Sequence, residues 1–228
     1  MVGINDTIGS PNLVHKVDIE YETATFGMGC FWGADALFGA TKGVLRTTVG
    51  YCGGTTENPT YKTIGDHVEV ITIDFDPNEV TYSQLLDLFW NNHEYGLTTR
   101  VKRQYASVIY YHNDEQKRVA SESLESERIN RPTEQIITEI VKVDTIYTAE
   151  DYHQKYYLQS HKDLAKTLSL DEKLLRSSHV AARLNGYLVG VGGVKQFLDE
   201  ALALGLNIAQ KDYVRHYCEK NEGGNLYC

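Results

Sequence analysis

An apolar extended run, Thr23 to Phe26, inside a strand expected at 20–27, breaks at Gly27-Met28-Gly29-Cys30-Phe31-Trp32-Gly33, and helical spacing follows at Phe31, Ala34, Leu37, Phe38 and Thr41. A strand that stops at glycines and resumes as a helix places Cys30 at or beside the helix N-terminus. The unpaired N–H groups and the positive end of the helix dipole there stabilise a thiolate. Cys30 is therefore a candidate nucleophile. The competing reading is a small buried hydrophobe between aromatic neighbours, but the flanking glycines let the backbone turn tightly and keep the sulfur approachable. Phe31 and Trp32 offer an apolar wall beside it.

The strand-to-helix break is the first unit of a longer alternation. Strands are expected at 44–49, 68–75, 104–111 and 134–147, the last long enough to contain a bend. Helices are expected at 34–40, 81–92 and 114–128, with another beginning near Thr148 to Asp151. The 81–92 helix has the clearest pattern, with Tyr82, Leu85, Leu86, Phe89 and Trp90 at i, i+3, i+4, i+7 and i+8. This order favours an α+β two-layer sandwich with a mixed or antiparallel sheet. After residue 166 the texture changes to short helical stretches, around 171–176, 179–185, 195–204 and 209–217, separated by glycines. The expected organisation is a loose leader at 1–19, a catalytic core at 20–166, and a helical and irregular C-terminal extension at 167–228.

Glu69 lies in the strand at 68–75, on the face shared with Ile71, Ile73 and Phe75. Desolvation on that face would favour the neutral, proton-donating carboxyl; a partly wet strand end, where the carboxylate caps a loop donor, is the alternative. Four cysteines, Cys30, Cys52, Cys218 and Cys228, are too few and too scattered for a secreted disulfide framework and lack zinc-finger spacing. Their distribution suggests redox chemistry, with Cys218 and Cys228 in a polar tail hinged at Gly223-Gly224. A net charge of −9 argues against a nucleic-acid surface. No window approaches the length of a membrane span and no signal-peptide core is visible, so a monomeric cytoplasmic protein without metal or other cofactor is expected.

The motifs Gly-Cys-Phe-Trp-Gly at 29–33, Gly-Tyr-Cys-Gly-Gly at 50–54, Asn-Pro-Thr-Tyr at 58–61, His-Val-Glu-Val at 67–70, Gln104-Tyr105 and Ala-Glu-Asp-Tyr-His-Gln at 149–154 occur in a fixed order. Together they resemble the A class of peptide-methionine sulfoxide reductases over residues 20 to 160. The resemblance implies a ferredoxin-like core and reduction of the S epimer of methionine sulfoxide. It assigns Cys30 as nucleophile, Glu69 as proton donor, Tyr61 and Tyr105 as hydroxyl donors to the sulfoxide oxygen, and Phe31 and Trp32 as the receptor of the S-methyl group. Attack leaves Cys30 as a sulfenic acid, which a thiol then resolves. Cys218 is the expected resolver, with Cys228 passing oxidation on to a thioredoxin-like reductant. The chain departs from the family pattern at His93-Glu94-Tyr95, where His-Asp-Pro is usual. The position of the active-site aspartate falls on Arg100, with Glu94 a possible substitute. Cys52 has no expected role, and Tyr152 and His153 are expected to support the fold or site. Two other functions compete: a cysteine acyl-transfer enzyme with His67 or His93 as base, and a non-catalytic module that binds methionine side chains.

Overall fold

The structure, a computed structural model, describes residues 13–94 and 102–224. The first half runs β1 (Glu22–Met28), α1 (Phe31–Gly39), β2 (Val44–Cys52), β3 (Val68–Phe75), α2 (Tyr82–Asn91) and β4 (Ser107–Tyr111). These four strands lie in the order β4-β1-β3-β2 with every neighbouring pair antiparallel. That is the ferredoxin-like split βαβ pattern, with both helices on one face. After α3 (Asp114–Asn130), β5 (Glu139–Lys142) adds parallel to β4 at one edge, and β6 (Tyr147–Thr148) adds antiparallel to β2 at the other. The single strand expected at 134–147 is thus two short strands on opposite edges. The residues between them cross the sheet's second face, where Val143 and Ile146 pack on Val68, Val70, Val108 and Tyr110.

Alternation in β3 does what its sequence dictates. Ile71, Ile73 and Phe75 enter the main apolar cluster with Phe26, Phe38 and Phe89, whereas Val68 and Val70 face the other way. Helix α2 starts at a reciprocal capping box between Thr81 and Gln84, and all five residues of its expected stripe are buried. At the expected strand 104–111, residues 103–105 instead form a 3-10 turn, so Gln104 and Tyr105 stand ahead of β4.

The remaining helices are α4 (Tyr156–Ser160), α5 (Lys162–Thr167), α6 (Glu172–Ser177), α7 (His179–Tyr187), α8 (Gly193–Glu200) and α9 (Ile208–Asn221). They enclose a second cluster that includes Leu158, Leu164, Leu184, Phe197, Val214 and Cys218. Helix α7 lies directly on α1: a Cβ on Gly39 would fall 2.4 Å from the Ala182 carbonyl oxygen, and one on Gly186 2.3 Å from that of Ala36. Only glycine permits that approach. The end of the leader is tied into the same unit, since Val180 N donates to Val14 O and Val14 N to Leu204 O. Among the described residues no helix is long and apolar enough to cross a membrane.

Helix α1 is thus sandwiched between the sheet and α7, and a buried polar cluster fixes its rotation. Asp35 and Lys155 are both fully buried and lie 3.1 Å apart. Asp35 also accepts from Thr47 Oγ1 at 2.6 Å and from the Lys155 amide at 2.9 Å, while Lys155 Nζ donates to Thr47 O at 2.7 Å. Cys30 caps the N-terminus of the same helix.

Candidate active site

Cys30 is the N-cap of α1, with extended backbone (φ −64°, ψ 121°) and no side-chain cap hydrogen bond. Gly29 before it takes φ +87°, a left-handed turn that a side chain would strain. The sulfur therefore leaves β1 at the point where the helix presents its unpaired N–H groups. Cys30 is disulfide-bonded in this structure, whereas Cys52 and Cys218 are free buried thiols, so the bond uses neither of them.

The carboxylate at that helix end comes from β3. Glu69 is 2 % exposed, and its Oε2 accepts from the Phe31 amide at 3.0 Å while its Oε1 accepts from Gln104 Nε2 at 2.6 Å. Burial raises its pKa above the ordinary carboxylate range, and the two donated hydrogen bonds only partly oppose that shift. The partly wet strand end is not what is found: Glu69 is buried where the neutral acid is favoured, and the backbone donor it caps belongs to the first residue of α1.

Cys30, Phe31, Trp32, Tyr61, Glu69 and Tyr105 line a single cavity of about 370 Å³, together with Met28, Leu37, Asn92, His93 and Glu94. Tyr105 and Tyr61 are hydrogen-bonded through their side chains, and burial pushes the Tyr105 phenol up to about 12. The Tyr105 hydroxyl therefore keeps its proton at neutral pH. Tyr61 opens a short 3-10 turn, and its amide donates to Glu150 Oε1 at 3.0 Å, while Glu150 Oε2 accepts from Tyr51 Oη at 2.8 Å. Trp32 stacks on Tyr156 with ring centroids 3.7 Å apart and donates from Nε1 to His153 Nδ1 at 3.1 Å. That bond places the His153 proton on Nε2, and burial lowers the ring's pKa.

The two histidines considered as bases are committed elsewhere. His93 Nδ1 lies 2.6 Å from Phe89 O, its Nε2 lies 2.7 Å from Ser107 Oγ, and burial drives its pKa down to about 4. His67 Nδ1 accepts from the Gly54 amide and its Nε2 donates to Thr56 O, which pins the loop after β2. Neither is arranged as the proton acceptor of a cysteine-dependent acyl transfer.

A cysteine at a helix N-terminus, a desolvated carboxyl and two phenols around an apolar slot are the parts that protonation of a sulfoxide and attack on it require. A family model described as "Peptide methionine sulfoxide reductase" matches residues 22–182. The chain belongs to that family. A second model, "Selenoprotein methionine sulfoxide reductase A, helical domain", matches residues 169–219. A peptide methionine sulfoxide reductase of Drosophila melanogaster is 59% identical over 215 residues, covering 94% of this chain and 87% of that protein. Peptide methionine sulfoxide reductase A5 of Arabidopsis thaliana is 39% identical over 78% of this chain and 72% of its own length. Among solved structures, methionine sulfoxide reductase A of Corynebacterium diphtheriae superposes with a TM-score of 0.57 at 30% identity, over 71% of this chain and 88% of that one.

Within this reductase framework, three site residues have contacts that their sequence positions did not disclose. Glu150 anchors the Tyr61 turn and Tyr51, Gln104 holds Glu69, and His153 holds Trp32. All three stand inside motifs, which signalled importance but not partner. Cys218 lies apart from the cavity, fully buried in the helical cluster, with its thiol pushed up to about 11 by burial and then by Glu222 and Glu219. Glu94 lines the cavity; Arg100 and Cys228 lie outside the described residues.

Proposed function

We propose that this family member reduces the S epimer of methionine sulfoxide, free or within a polypeptide, to methionine. The observation that carries the reading is the convergence of Cys30, Glu69, Tyr61, Tyr105, Phe31 and Trp32 on one cavity at the N-terminus of α1. The S-methyl group enters the slot formed by Phe31 and Trp32, where sulfur–aromatic contact contributes about 0.3–1.5 kcal/mol. Tyr61 and Tyr105 donate to the sulfoxide oxygen. The Cys30 thiolate attacks and bonds to the substrate sulfur as Glu69 gives its proton to the oxygen; the hydroxyl then passes to Cys30 Sγ while its S–O bond and the new S–S bond break, so methionine leaves and Cys30 is the sulfenic acid. Glu94, acidic and at the cavity wall, takes the place of the family's aspartate.

A second thiol condenses with the sulfenic acid, forming a disulfide and releasing water. Because Cys218 is buried and its thiol is held protonated, the proposed order places Cys228 first. Cys218 then attacks the Cys30–Cys228 bond when the last turn of α9 opens, freeing Cys30 and leaving a Cys218–Cys228 disulfide. A thioredoxin-like dithiol supplies the electrons that reduce this bond. The free thiols at Cys52 and Cys218 suit a reducing compartment, and the cytoplasm is the proposed location of a monomeric enzyme. The test is incubation of racemic N-acetyl-methionine sulfoxide with the protein and dithiothreitol, followed by separation of the epimers. Loss of the S epimer alone is expected; consumption of neither epimer, or of both equally, overturns the reading.

A further inference from the structure

Gln104 contributes the second hydrogen bond to the carboxyl that delivers the proton. Its side chain reaches back from the 3-10 turn ahead of β4 to Glu69 Oε1 at 2.6 Å, while the Phe31 amide takes Oε2 at 3.0 Å. Each oxygen thereby has one lone pair bound to the protein and one left over. The amide at α1 is backbone and invariant to substitution, so among the described residues the side chain that adjusts this carboxyl by hydrogen bonding is Gln104. We infer that Gln104 is a positioning residue that orients Glu69 toward the sulfoxide oxygen and sets the pH range over which Glu69 holds its proton. The inference rests on the proposed role of Glu69 as the acid.

The chemistry follows from which form the amide favours. An N–H donor aimed at a carboxyl oxygen stabilises the charged form, opposing the effect of burial. When Glu69 gives up its proton, the negative charge appears on oxygens already facing two donors, so the conjugate base is stabilised as it forms. Leucine or methionine supplies no such donor.

The other titratable groups around Glu69 leave this effect readable. Tyr51 on β2, Tyr61, and Tyr105 beside Gln104 surround it, with His93, Glu94 and Cys30 along the same cavity. Burial holds Tyr51 and Tyr105 protonated well above neutrality and keeps His93 neutral down to about 4. Burial raises the Glu69 pKa, and an alkaline decline in rate that disappears in Glu69→Gln is the loss of its proton.

The experiment is the pH dependence of the single-turnover rate of methionine formation, without added reductant, for the wild type, Gln104→Met, Gln104→Lys and Glu69→Gln. Losing the donor in Gln104→Met should move the alkaline limb up by about one unit, the usual worth of a hydrogen bond to a charged group, with a lower plateau. A cation in Gln104→Lys should move the limb down. Circular dichroism confirms that each variant is folded, and because the two substitutions disturb the same site in opposite electrostatic senses, damage to the turn cannot produce opposite shifts. Limbs that stay in place, or move together, in both Gln104 variants while Glu69→Gln abolishes the limb would overturn the role of Gln104 alone. A limb that survives in Glu69→Gln would overturn the acid assignment and this inference with it.

Discussion

Lys155→Met tests how the reactive helix is held. The substitution removes the cation paired with Asp35 in a site where both side chains are fully buried. Methionine keeps the length of the side chain and, like lysine, must adopt the left-handed backbone at φ +51°, so backbone strain is unchanged. Removing one member of a buried ion pair costs about 3–5 kcal/mol, because the other charge is left desolvated. Asp35 retains donors from Thr47 Oγ1 at 2.6 Å and the residue 155 amide at 2.9 Å, which places the expectation near the lower end, about 3 kcal/mol. For a chain of this size that is a fall of roughly 6–12 °C in Tm. The double variant Asp35→Leu with Lys155→Met removes both charges and should recover much of the loss, giving a coupling of about 2 kcal/mol in the mutant cycle. Urea unfolding of all four proteins in dithiothreitol, followed by circular dichroism, gives the numbers. A single variant within about 1 kcal/mol of the wild type, or a double variant equal to the sum of the singles, would refute the argument.

Trp32→Phe keeps an aromatic wall but deprives His153 Nδ1 of its donor, leaving both ring nitrogens of a buried imidazole unpaired, since Nε2 already has no hydrogen-bond partner. A several-fold rise in KM with a smaller change in kcat is expected, alongside a stability loss of about 1–3 kcal/mol; unchanged KM would contradict the methyl-subsite role. Mass mapping after one equivalent of sulfoxide without reductant should find a Cys218–Cys228 disulfide in the wild type and a Cys30–Cys228 disulfide in Cys218→Ser. A Cys30–Cys52 bond would refute the proposed order. Leu202→Glu, at a side chain 89% exposed, should change stability by no more than about 0.5 kcal/mol and leave turnover intact.

What the sequence made legible was what depends on local pattern. The stripe from Tyr82 to Trp90 and the alternation of β3 located α2, Glu69 and the two faces of the sheet, because periodicity encodes which side of an element is buried. Glycines flanking Cys30 located the turn that exposes it. Residues 134–147 carry the pattern of one strand, since β-branched composition cannot reveal that β5 and β6 pair with strands at opposite edges. Gln104 and Tyr105 have the pattern of a strand start, yet a 3-10 turn carries them, and from it Gln104 reaches Glu69, a partner that local pattern does not encode. Partner choice was the hidden quantity throughout: Asp35 and Lys155 are 120 positions apart, and no spacing rule joins them.

The central claim is that oxidation passes from methionine sulfoxide to the sulfur of Cys30. The most direct measurement uses the Cys218→Ser, Cys228→Ser protein, reduced beforehand, with one equivalent of the S epimer of N-acetyl-methionine sulfoxide and dimedone. One methionine per protein, together with a dimedone adduct confined to the peptide containing Cys30, is the predicted result. Methionine formed while Cys30 remains unmodified, or formed at an undiminished rate after the further change Cys30→Ser, would contradict it.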